Sequence, residues 1–263
     1  MMQTQVAVDG GSLSVEIAGA GKPVLVMLHG WTLDRRMWRH QVRGLSDCAT
    51  LLLPDRRGFG RSQAPPGLLQ EPDDILALLD HFGLASAILV AHSQAGRVAL
   101  TAAARHPERV AGLVLLAAAH DAAPPDPVTE PALPFAQLVE HVRAGNLPAA
   151  VTLWRDHPML RTDDAETFLL LDEMLADYQG RDLLSPPAFL PVTDKLLATI
   201  TCPSLVMVGD LDTPSRMAAA HRLCQGLRRA AMQVFVRAGH MANISHAAAV
   251  NQAIIEYVTR NFR

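Results

Sequence analysis

Short apolar runs, each bounded by turn formers and separated from the next by a helical pattern, constrain this chain more than any other feature. They fall at Val24–Leu28, Thr50–Leu53, Ala87–Val90, Leu113–Leu116, Ser204–Val208 and Gln233–Val236. A run with no polar alternation is a strand buried on both faces, which is the signature of a parallel sheet covered by helices. Helical spacing is clearest at Pro72–Phe82, at Gln94–Arg105 stopped by His106-Pro107, at Pro214–Cys224 and at His246–Asn261. Strand and helix in alternation give a doubly wound α/β architecture. Thr4–Val8 and Ser12–Ala18 differ, because the Asp9-Gly10-Gly11 turn between them makes a hairpin at the sheet edge. The expectation is a mostly parallel sheet of eight strands.

From residue 120 to 195 no strand-like run occurs. Pro-rich punctuation at Ala122–Pro134 leads into helical patterns around Phe135–Ala144, Leu147–His157 and Ala165–Gln179. A segment of this size flanked on both sides by one sheet buries little by itself. It is expected to be a helical cap inserted in a core made of 1–119 and 196–263.

Composition narrows function by exclusion. With 23 Lys+Arg against 26 Asp+Glu the net charge is −3, so no basic field gathers phosphates, and nucleic acid is not an expected partner. Twelve Trp, Tyr and Phe in all argue mildly against ring-stacking platforms. Cys48, Cys202 and Cys224 form no CxxC pair and cannot all pair with one another, which fits a reducing cytoplasm. The N-terminus lacks a basic start followed by an apolar stretch, and no run of 18 apolar residues exists, so neither export nor a membrane is expected. Eleven histidines show no HExxH or paired helical spacing, so no metal is expected. Gly19-Ala20-Gly21-Lys22 superficially resembles a phosphate loop but lacks the upstream Gly and the Ser/Thr.

The residues that carry chemistry lie just past predicted strands. Ala91-His92-Ser93-Gln94-Ala95-Gly96 joins a buried strand to an Ala-rich helix; taken alone, a Ser here reads first as a helix cap. His29-Gly30-Trp31 follows the strand Val24–Leu28, and Asp55-Arg56-Arg57-Gly58-Phe59-Gly60-Arg61-Ser62 follows the next. Gly209-Asp210-Leu211-Asp212-Thr213-Pro214 and Arg237-Ala238-Gly239-His240-Met241 end the last two. Ligand crevices of open α/β sheets form at such strand ends.

In this order the motifs resemble those of the α/β-hydrolase superfamily, in its branch of small bacterial esterases, carbon–carbon bond hydrolases, enol-lactonases and non-haem haloperoxidases. The segment around Ser93 resembles the nucleophile elbow G-x-S-x-G, with Ala91 and Ala95 in the glycine places. The resemblance implies Ser93 as nucleophile, His240 as general base and Asp212 as the orienting acid, with Asp210 as the fallback. Asp121 is a second candidate, because some members place the acid after an earlier strand. It further implies an oxyanion hole from the amides of Trp31 and Gln94, a structural role for the Asp55–Ser62 loop, and no cofactor. His92 is expected to point away from the cleft. His120, Trp154, Arg155 and Met241 are expected at the substrate, with Met159, Met174 and Tyr178 as further pocket candidates. Arg155 would select an anionic substrate if it faces the pocket, which sequence leaves open.

The expected partner is a small-molecule substrate, a carboxylic ester, lactone or related activated carbonyl; homodimer formation is left open. The same scaffold also carries carbon–carbon cleavage, lyase steps and cofactor-free oxygenation, and it serves as a non-catalytic receptor.

Overall fold

The structure is a computed structural model that describes residues 2–126, 128 and 130–262. Its strands are β1 (Met2–Val8), β2 (Gly11–Ala18), β3 (Val24–Leu28), β4 (Thr50–Pro54), β5 (Ala87–His92), β6 (Val110–Leu116), β7 (Ser204–Gly209) and β8 (Ala230–Phe235). They form one sheet in the order β1-β2-β4-β3-β5-β6-β7-β8. The β1–β2 and β2–β4 pairs are antiparallel, and every other pair is parallel. The hairpin register places Val8 opposite Gly11, with Gly10 at φ 78°. That left-handed conformation is why a glycine follows Asp9.

The helices are α1 (Arg39–Leu45), α2 (Glu71–His81), α3 (Ala95–Arg105), α4 (Phe135–Arg143), α5 (Leu147–Arg155), α6 (Ala165–Ala176), α7 (Asp194–Leu197), α8 (Pro214–Gly226), α9 (Ala242–Ser245) and α10 (Ala247–Phe262). Local chemistry sets several of their starts. Pro72 and three acidic residues fill the first turn of α2, the Asn146 side chain accepts from the Ala149 amide to cap α5, and Asp164 accepts from the Thr167 amide to cap α6.

The sheet separates two buried layers. Leu28, Leu89 and Leu115 pack with Leu79, Leu100 and Leu223 of α2, α3 and α8 on one face. The other face, with Met27, Val90 and Leu116, packs with α1, α10 and the inserted helices. Leu138, Trp154, Leu171 and Met174 of that insertion belong to the same apolar layer as Met37 and Trp38, so the insertion shares the core's interior. None of the described helices is long and apolar enough to cross a membrane.

Two differences from the sequence expectation have physical causes. Helix α1 is not among the helices expected from sequence; tertiary packing fixes it, since a Cβ at its Gly44 would collide with the Asn251 amide of α10. Strand β8 begins at Ala230, three residues early, because an edge strand pairs through its backbone and needs no continuous apolar run.

Candidate active site

Strand β5 is buried throughout and ends at His92; α3 begins at Ala95. Ser93 makes the turn between them at φ 54°, a left-handed conformation costly for a residue with a side chain. Its amide donates to the Leu116 carbonyl at the end of β6 (2.8 Å), which holds the turn in place. Ala91 and Ala95 are fully buried against the sheet and helix.

The hydroxyl of Ser93 faces His240 Nε2 at 3.0 Å. On the far side of the ring, Nδ1 lies 2.9 and 3.1 Å from the two Asp212 carboxylate oxygens. The Asp212 carboxylate is shielded from solvent and also accepts from the Thr213 amide at 2.7 Å. The fallback acids are engaged elsewhere. Asp210 accepts from the Arg237 amide (2.6 Å), and Asp121 pairs with Arg97 (2.6 Å) and the Val192 amide (2.8 Å), so neither meets His240.

Behind His240 the geometry departs from expectation. His92 does not point away: its Nε2 donates to the His240 carbonyl at 3.0 Å, and the two rings stand edge to face with centroids 4.7 Å apart. Burial, and next the adjacent His240, hold the pKa of His92 well below the usual histidine range. A neutral ring therefore stands behind His240. Gly30 completes the contact, since a Cβ there would lie 2.5 Å from His92 Nδ1.

The amides of Trp31 and Gln94 sit at the ends of the two adjacent strands β3 and β5, and neither has a hydrogen-bond partner among the described residues. The Asp55–Ser62 loop supports both segments. Arg56 donates to Glu71 (2.6 and 2.9 Å), to the His29 carbonyl (3.0 Å) and to the Gln94 side chain (3.0 Å). Arg57 forms a two-point pair with Asp74, and Asp55 gathers the Arg35 guanidinium and the Arg61 amide. The role of this loop is the structural one expected.

Ser93 and His240 open into a cavity of about 250 Å³ walled by Trp31, Leu33, Trp154, Met159, Phe189 and Met241. A second space of about 360 Å³ shares Trp31, Gln94 and Leu133 with it and continues past Phe135, Asp182 and Pro186. Trp154, Met159 and Met241 are thus where the sequence predicted them. Four other predicted residues are not. His120 is buried away from the cavity, its Nδ1 accepting from the Ala122 amide and its Nε2 3.1 Å from Asp194. Arg155 turns outward to Asp172 (2.6 Å) and stacks over Phe168. Tyr178 donates to Asp182, and Met174 packs in the interior.

The cavity also holds Arg97 and Arg216, which sequence reasoning did not single out. Their signal was positional, since one lies a turn into the helix after Ser93 and the other a turn beyond Asp212. No group of three or more metal-ligating side chains occurs among the described residues.

Residues 23–247 match the alpha/beta hydrolase fold family, and the chain belongs to it. It is 30% identical over 267 residues to pimeloyl-[acyl-carrier protein] methyl ester esterase of Chromobacterium violaceum, covering 94% of this chain and 98% of that protein. Among solved structures it resembles a thermophilic esterase from Thermogutta terrifontis (TM-score 0.77, 26% identity, all of both chains). It also resembles the enol-lactonase from Burkholderia xenovorans LB400 (TM-score 0.80, 25% identity, 97% of this chain and all of that one). The chain is an enzyme of the hydrolase class.

Proposed function

We propose that this hydrolase cleaves a small carboxylic ester or lactone through an acyl-enzyme on Ser93. The observation that carries the reading is the hydrogen-bonded chain Ser93–His240–Asp212 beside two unpartnered amides. A serine hydroxyl is a poor nucleophile at neutral pH until a base takes its proton. His240 Nε2 accepts that proton as Oγ attacks the carbonyl, and Asp212 fixes the tautomer that carries hydrogen on Nδ1. The amides of Trp31 and Gln94 stabilise the oxyanion, each such donor contributing about 10²–10³ in rate. His240 then returns the proton to the leaving alcohol. A water then gives its proton to His240 as its oxygen attacks the acyl carbon, and His240 passes that proton to Ser93 Oγ as the acid leaves. Residues 120–195 act as a cap that closes over the cavity and sets acyl length.

The test is fluorophosphonate labelling with mass-spectrometric mapping, joined to turnover of short p-nitrophenyl esters. Ser93→Ala and His240→Ala should abolish turnover, Ser93 should carry the label, and Asp212→Asn should cost on the order of 10⁴ in kcat. Substantial turnover by purified Ser93→Ala protein would overturn the mechanism.

A further inference from the structure

Two guanidinium groups face the cavity that holds Ser93, and they differ in how their charge is met. Arg97 donates to Asp121 (2.6 Å) and to the Leu190 carbonyl (2.8 Å), and it stacks over Phe189 with its centre 4.4 Å from the ring. Its charge is matched within the protein. Arg216, in the first turn of α8, makes no side-chain hydrogen bond or ion pair among the described residues. Its Nε is shielded from solvent with no partner.

The carboxylates nearest in influence are committed elsewhere. Asp212 is held by His240 and the Thr213 amide. Glu130, itself buried, accepts from the Ser215 amide (2.8 Å) and hydroxyl (2.7 Å), so it also occupies the N-terminus of α8. Burial pulls the Arg216 pKa below its ordinary value, with Arg97 acting in the same sense and Asp212 and Glu130 opposing. A half-buried guanidinium whose shielded Nε has no hydrogen-bonding partner is unfavourable. That cost is relieved when an anion enters.

We propose that Arg216 is an anion-recognition residue of the Ser93 cavity and that the ester or lactone cleaved there carries a carboxylate. The inference rests on the hydrolase reading above. A carboxylate fits better than a phosphate dianion, because a single cation is left unmatched and its planar fork suits a carboxylate. The cavity of about 250 Å³, with mostly apolar walls, suits a small ester with a short aliphatic chain. Arg155, the residue that sequence suggested for this task, is spent on Asp172 at the surface.

The experiment compares monomethyl esters of four- to six-carbon dicarboxylic acids with methyl esters of the matching monocarboxylic acids. A second arm compares acetate esters of short hydroxy acids with acetate esters of alcohols, placing the charge on the other side of the bond. The parent enzyme should favour the anionic ester in one arm by about 10-fold or more in kcat/KM. Arg216→Gln should shrink that preference by roughly 10- to 100-fold, chiefly through KM, and Arg216→Lys should restore part of it. In the parent, short monocarboxylates should inhibit competitively where the corresponding amides do not. The inference falls if the parent shows no anionic preference in either arm, or if Arg216→Gln depresses charged and neutral esters alike. Fluorophosphonate labelling separates the two levels. An unlabelled Ser93 in the parent would overturn the hydrolase reading, whereas a labelled Ser93 without anionic preference overturns the role of Arg216 alone.

Discussion

His29 illustrates how much a single side chain can be asked to hold. It is fully buried; its Nδ1 donates to the Gly30 carbonyl (2.8 Å), and its Nε2 accepts from the Arg56 amide (2.8 Å). Protonating Nε2 would remove the acceptor on which Arg56 depends. Burial first, and Arg56 second, push the pKa of His29 down to about 3 from the usual 6.5. A depressed histidine binds no proton in the folded state between those values, while the unfolded chain does. Stability should therefore be complete above pH 6.5 and fall as the pH drops below it, by about 2 kcal/mol at pH 5 from this residue. Burial raises the carboxyls of Asp55, Glu71 and Asp74, which act in the opposite sense, so the comparison must be with a variant. His29→Gln should lose about 2 kcal/mol less than the parent between pH 7 and pH 5 in urea unfolding. Equal slopes would place the proton uptake elsewhere.

The unit of β5, the Ser93 turn and α3 was read from sequence because each of its local choices agrees: an apolar strand, a small-residue turn and an Ala-rich helix. What that reading lacked is the contact that fixes the helix against the sheet. A Cβ on Gly96 would lie 2.5 Å from that of Ala118, just beyond β6. In an isolated helix, replacing Gly by Ala adds about 1 kcal/mol of stability. Here the overlap outweighs it. Gly96→Ala should destabilise the protein by about 1–2 kcal/mol and lower kcat more than it changes KM, since α3 moves together with the Gln94 amide. A variant more stable than its parent would show that the close approach is relaxed without cost.

Across the whole molecule, the inserted helices are tied to the core by polar contacts around the cavity as well as by the shared apolar layer. Asp182 accepts from the Trp31 indole and from the Tyr178 hydroxyl, each at 2.6 Å, and the Trp154 indole donates to Thr32 at 2.8 Å. Thr32 is held at φ 63°, so its own backbone is fixed by what it contacts. Asp182→Ala should cost about 1–3 kcal/mol and raise KM for short esters several-fold with a smaller effect on kcat, measured by urea unfolding and steady-state kinetics. Unchanged KM together with lost stability would make Asp182 a purely structural tie.

How far the sequence reached depends on the range of the interaction involved. Strand order along the chain, the α/β alternation and the positions of Ser93, Asp212 and His240 were all legible, because hydrophobic period and turn chemistry act within a few residues and strand ends gather at one edge of a parallel sheet. The edge strand β8 was misjudged at its borders and helix α1 was not anticipated, because pairing and helix contact replaced the apolar pattern there. Choices among like groups were beyond reach. His92 stands behind His240 instead of pointing away, and Arg155 turns outward while Arg216 turns in. Each of these is settled by partners tens or hundreds of residues away, so the sequence by itself determined the class of fold and the residues available to a site. Only the tertiary structure decided which charges are matched, which are left without a partner, and therefore what the cavity can recognise.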